Sequence, residues 1–307
     1  MKFKIVISTL VILISVFTGS AQPATSLKSY MQSVRSGKTI TVPPSVLNPQ
    51  NPKAFLQVLA LYSKDTLATI RAKTNFIVKS IGMNSKDVLV RQQSVDQLIQ
   101  AGNDKIAGNV SEVFNHLTQF EKEDFTKTAK DSLQNLFYKR PTHLDQLVRL
   151  AGFLEITSLQ SELQSLSQPG NNQRDRLAAL LALARMGDVS ATTSVVERTR
   201  KLKLNNDVVY EVFRDLLYTR QREAINYMIE VLQSNEKECE SSDNDNPVPI
   251  PCGYRVMEQL ASVIEGYPLK QDASGDINTK DYKQALITVR DWFKQNGDNY
   301  KIDKSKF

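Results

Sequence analysis

Along most of the chain, apolar residues recur at steps of three and four, the spacing that gathers them on one face of a helix. The clearest stretch is Asp175–Asp188, DRLAALLALARMGD, where Arg176, Ala179, Leu183 and Gly187 fall at steps of three, four and four. A glycine just past the last apolar position ends such a helix. Val90–Asp104 carries the same steps in Arg91, Ser94, Leu98 and Gly102. The phase returns, with fewer of its members, from Thr126, Val209, Arg255 and Tyr282. The starts are spaced by about 38 residues on average, an internal period that decides a fold before local detail does. Partner stripes lie between them: Leu67–Ile81, Val110–Phe120, Leu144–Leu154 and Ile225–Leu232. Alternation of the strand kind is scarce. The pattern predicts an all-α chain, a right-handed α-α superhelix in which antiparallel helix pairs stack to bury faces none can bury alone.

The pattern also divides the chain. Residues 1–21 read as a signal peptide: Lys2 and Lys4, an apolar run Ile5–Phe17, then Gly19, Ser20 and Ala21, with the cut expected after Ala21. That run is shorter than the roughly 20 residues a helix needs to span a bilayer, and no later run is long and apolar enough to do so, so no membrane insertion is expected after cleavage. Residues 22–51 read as a lead-in, a short helix over Ser26–Ser36 followed by an extended segment with Pro43, Pro44, Pro49 and Pro52 at its end. Residues 52–295 form the repeat domain and 296–307 a polar tail. Two breaks interrupt the array, the turn cluster Ser167–Asn172 and the longer loop Asn235–Gly253 with Pro247, Pro249 and Pro251.

In these residues the chain resembles the HEAT and armadillo helical repeat proteins. The arginine–alanine–leucine–glycine–aspartate form of Arg176–Asp188 is similar to the bacterial HEAT-like variety. The copies at Arg91 and Arg176 carry the resemblance. Tetratricopeptide repeats lack a counterpart here, because the lone tryptophan, Trp292, stands in the last helix. The resemblance implies a curved binding surface, whose arginines in part cap neighbouring repeats, and no shared catalytic residues.

Composition narrows the function. The formal charge of +6 falls to +4 without Lys2 and Lys4, a mild excess that does not call for nucleic acid in an exported protein. The two cysteines, Cys239 and Cys252, read as a disulfide around the second break, since two thiols alone supply half a zinc shell. No phosphate-binding glycine loop, paired-histidine metal motif or nucleophile elbow occurs, and His116 and His143 read as helix and cap residues. Asp243, Asn244 and Asp245, like Asp272, Ser274, Asp276 and Asn278, read as solvated loops. The latter set has Ile277 and Lys283 where a calcium loop needs glycine and a bidentate acid. No catalytic residue, metal or cofactor is expected. Charge is uneven: residues 171–222 hold ten basic and six acidic side chains, whereas 235–246 are net acidic. The candidate partner-binding segment is Arg174, Arg176, Arg198, Arg200, Lys201, Lys203, Arg220 and Arg222. These readings converge on a secreted or periplasmic, non-enzymatic scaffold that binds a protein or peptide through its concave face. The alternatives are an envelope enzyme acting on polysaccharide or peptidoglycan with a carboxylate pair in a helical groove, and an architectural part of a larger assembly.

Overall fold

The computed structural model describes residues 21–241, 245, 247–272 and 274–307. Residues 1–20, nearly all of the expected leader, lie outside the described residues, as do Asp243 and Asn244 of the acidic loop. The described chain is predominantly helical, with a single two-residue strand pairing. It divides into two compact units with the boundary between Ser94 and Val95.

The first unit contains α1 (Ala21–Arg35), α2 (Pro44–Leu47), α3 (Pro52–Tyr62), α4 (Ala68–Asn84) and the start of α5 (Val88–Ala101). Helix α4 packs against α1, α2 and α3. Leu27, Tyr30 and Met31 of α1 are buried, as are Val46, Leu56, Leu59, Ile70, Ile77 and Ile81. The stretch that reads from sequence as a lead-in therefore supplies core side chains. Its prolines do more than extend the backbone: Pro44 and Pro52 each open a helix, where a missing N–H costs nothing and φ is already set.

The second unit holds the remaining helices: α6 (Ala107–Leu117), α7 (Lys127–Tyr138), α8 (Leu144–Phe153), α9 (Gln160–Leu166), α10 (Gln173–Arg185), α11 (Val189–Arg200), α12 (Phe213–Thr219), α13 (Arg222–Gln233), α14 (Gly253–Leu260) and α15 (Tyr282–Asn296). From α7 onward most helices pack on the next and on the next but one, with α8 against α10 the closest pairing. Gly152 permits it, since a Cβ there would lie 2.5 Å from the Ala182 Cα. The repeated phase is kept in the packing: Leu98, Leu133, Leu183, Leu216 and Val289, the third members of five copies, are all buried. The sixth, Ser262, is exposed.

Helix α10 ends as its sequence dictates. Gly187 takes φ +92°, and the N–H groups of Gly187 and Asp188 donate to the carbonyls of Ala184 and Leu183. The Asp188 carboxylate then accepts from the Ala191 N–H and opens α11. The second break is ordered by a short hairpin, β1 (Cys239–Glu240) antiparallel to β2 (Pro249–Ile250), and by the Cys239–Cys252 disulfide with its Cα atoms 5.0 Å apart. Such a bond fits an oxidising compartment and is compatible with an extracellular protein. Among the described residues no helix is long and apolar enough to cross a membrane.

Residues 296–307, read from sequence as a polar tail, are packed in. Tyr300 is buried, Ile302 bridges to Ile264, and the ring of Phe307 lies 5.6 Å from Phe153 and 5.3 Å from Tyr218. Two isolated aromatic positions separated by six polar and aliphatic ones leave no periodic trace in a sequence.

Candidate functional site

Helix α10 is apolar on nearly every side, so it has more greasy surface than a single neighbour can cover. Ala179 and Leu183 are buried among its neighbours, whereas Leu177 stays 36% exposed. Leu180, three positions on from Leu177, is half-buried. Leu177 and Leu180 instead line a recess of about 420 Å³ whose opposite wall is Val195, Thr199 and Leu202 of α11 and the turn after it. Val212 and Asp215 close one end. Val212 stands at the end of a π-helical turn, Val208–Val212, an irregularity that functional sites favour.

Over this apolar floor stand Arg176 and Arg198. Beyond them a second recess of about 390 Å³ shares Arg176, Leu180 and Arg198 and adds Ser194, Glu197 and Lys201. The acid of the first recess is already engaged, since Asp215 accepts from the Arg149 guanidinium at 2.8 Å. The Arg176 Nε–H is buried and has no hydrogen-bond acceptor among the described residues. A buried donor without a partner costs about 1–3 kcal/mol.

The eight basic residues singled out by sequence part company here. Arg176, Arg198 and Lys201 meet in the groove. Arg174 and Lys203 are exposed beside it. Arg200 is committed elsewhere: it pairs with Glu230 at 2.7 Å and covers the Tyr227 ring at 4.3 Å. Arg222 donates to the Tyr300 carbonyl and lies 4.4 Å over its ring. Arg220 does not belong to a surface site at all, being 5% exposed. It joins Arg185, 3% exposed and never a candidate, in a cradle at the ends of α10 and α12.

In that cradle the Arg185 guanidinium donates to the carbonyls of Tyr218, Lys304 and Lys306 at 2.6, 3.1 and 2.7 Å. Arg220 donates to the Asp303 carbonyl and to the Phe307 main-chain oxygen at 3.0 Å each and also to the Leu217 carbonyl. Burial, and then the like charge of Arg185, lowers the Arg220 pKa to about 10. Burial pushes the Tyr218 hydroxyl far above its ordinary value, against the pull of the surrounding arginines.

What the sequence missed is the apolar floor and the division of the arginines. The all-round apolar character of Leu177–Ala184 was the available signal for the floor. Nothing local distinguishes Arg176 from Arg185, nine positions apart on one helix and pointing to opposite fates.

Carboxylates converge once on α10, where burial and the charge of Asp145 raise Asp175, but neither residue lines the groove. Among the described residues no cluster of three or more histidine, cysteine or acidic side chains could hold a metal. Comparison with known protein families, curated proteins and solved structures finds no match.

Proposed function

We propose that this chain is an exported helical-repeat protein of the HEAT-like kind, a right-handed superhelix of antiparallel helix pairs that works by binding a protein or peptide. In this reading residues 1–21 are a signal peptide cut after Ala21, and the disulfide is formed after export. The packing of helices on their next and next-but-one neighbours supports the repeat reading, because nearest-unit contacts are what a solenoid is made of. The concave face expected of such an array would meet its partner at the α10–α11 groove.

The observation that carries the binding reading is the pair of arginines, Arg176 and Arg198, lining the apolar recess, with the Arg176 Nε–H lacking an acceptor among the described residues. A carboxylate can take both ends of such a fork while an apolar side chain fills the recess beneath. The partner segment is therefore acidic and amphipathic. Panning the full chain against a randomised peptide library tests this. Enrichment of peptides that place Asp or Glu beside Leu, Ile, Phe or Met is expected, with their loss on an Arg176→Ala/Arg198→Ala chain. Selected peptides that lack acids, or that bind the double variant equally well, would refute the reading.

A further inference from the structure

Resting on the reading of the α10–α11 groove as the peptide site, we infer that its affinity depends on the Cys239–Cys252 disulfide. The coupling runs through the hairpin that this bond closes, which braces the π-helical turn Val208–Val212 at one end of the groove.

The links are side chains that bridge the hairpin and the turn. Glu240 follows Cys239, and the Asn206 amide takes both main-chain groups of Glu240. Its Oδ1 accepts from the Glu240 N–H at 3.1 Å, and its Nδ2 donates to the Glu240 carbonyl at 3.4 Å. Asn206 stands two residues before the π-helical turn. On the other side of the disulfide, Cys252 leads directly into α14. Gln259 of α14 donates from Nε2 to the Val209 carbonyl, inside the turn, at 2.7 Å. Arg255, also on α14, joins all three parts. It donates to the Glu240 carbonyl at 3.5 Å, and its guanidinium lies 5.5 Å from the centre of the Tyr210 ring. Both cysteines belong to the same buried cluster as Val209 and Phe213.

The turn is the part of this wall that needs holding. π-Helical geometry is rare and occurs as single turns within α-helices, as it does here where the turn runs into α12. Its conversion to α geometry re-phases the residues on its two sides by one position, about 100° at 3.6 residues per turn. The contacts of Asn206 and Val209 on one side and the places of Val212 and Asp215 on the other cannot all survive that change. Val212 and Asp215 are the residues by which this segment enters the recess.

The disulfide ties β1 to the start of α14, the two segments that grip the turn. Opening it takes a dithiol, which supplies two electrons and two protons, leaves Cys239 and Cys252 as thiols and is itself left as a disulfide. The two segments then regain freedom that the closed loop denies them, and the grip on the turn weakens.

Two readouts on the full chain test the brace, one of them without any peptide. Asn206→Ala/Gln259→Ala cuts the links and keeps the disulfide; dithiothreitol, or Cys239→Ala/Cys252→Ala, removes the disulfide and keeps the links. In hydrogen exchange on the free chain, both should lower protection over residues 208–215 and leave residues 174–185 unchanged. The most enriched acidic peptide from panning on the unaltered chain, fluorescein-labelled, should then bind both about five-fold more weakly or worse, the low end of coupling between two sites. Unchanged protection over 208–215 in both would overturn the proposal. So would unchanged affinity where protection is lost, or an equal loss of protection over 174–185, which would mean general loosening. Failure of Arg176→Ala/Arg198→Ala to weaken the same peptide would instead count against the groove as its site, with the exchange result still deciding the brace.

Discussion

The two ends of α10 hold the same kind of residue in opposite circumstances. Near its start, Arg176 lines an open groove with a buried donor that nothing among the described residues accepts. At its end, Arg185 is buried with three carbonyls on its guanidinium. The helix itself favours the second arrangement, since a cation in the last turn meets the negative end of the peptide dipoles, while Arg176 near the N-terminus meets the positive end. Arg176 is thus placed where neither helix nor neighbours reward it. On the proposed reading Arg176 is a residue kept for a ligand, and Arg185 is an arginine held by the fold.

The contrast is sharpened most by what should happen to stability. Leu183→Ala removes a buried side chain between the two arginines and should cost about 2–5 kcal/mol in chemical denaturation. In a stack of units the loss stays local, so hydrogen exchange should show lost protection centred on residues 174–220. An even loss across the second unit would indicate one undivided core and break the repeat reading.

Arg185→Ala comes next. It strips the acceptors Tyr218, Lys304 and Lys306 of a charged donor, each such bond contributing about 1.5–3 kcal/mol before the relief of burying the cation is subtracted. A net loss of about 2 kcal/mol is expected, whereas Arg176→Ala, which removes a buried donor without an acceptor among the described residues, should not lower stability. Equal losses at the two positions would erase the distinction.

A smaller effect separates the regions by pH. The Tyr218 pKa is raised in the folded chain, so the folded state keeps a proton that the unfolded state releases near pH 10. Its contribution is whole below that pH and is lost as pH rises through and beyond it, with a slope of up to about 1.4 kcal/mol per pH unit. Tyr218→Phe should flatten the fall in stability between pH 10 and 11, measured by urea denaturation, while Arg176→Ala and Arg198→Ala leave it unchanged. An unaltered slope in Tyr218→Phe would mean that this hydroxyl ionises as freely folded as unfolded.

Much of the helix content was legible because burial in helices repeats in sequence. The third position of the pattern marked Leu98 and Leu183 as core before any coordinates, and the glycine after Leu183 marked the end of α10. The cysteine pair was legible from its spacing and from the expected compartment. Helices α3, α9 and α11 were harder: α11, VSATTSVVERTR, spreads its few valines among threonines and serines, so its stripe is faint. The site was legible only as a charge excess. Arg176, Arg198 and Lys201 converge because α11 folds back on α10. Arg220 is withdrawn because residues 303–307, over eighty positions away, return to the end of α12. Neither event has a local signature.

The most direct test of the central claim measures affinity and stability on the same two variants. An acidic amphipathic peptide selected on the full chain is titrated calorimetrically against Arg176→Ala and Arg185→Ala, alongside their urea midpoints. The account predicts that Arg176→Ala weakens binding about ten-fold or more, the equivalent of about 1.4 kcal/mol, without lowering its midpoint. Arg185→Ala should lower the midpoint and leave the affinity of the folded chain intact. Undiminished affinity in Arg176→Ala, or a midpoint that drops as far as that of Arg185→Ala, would contradict it.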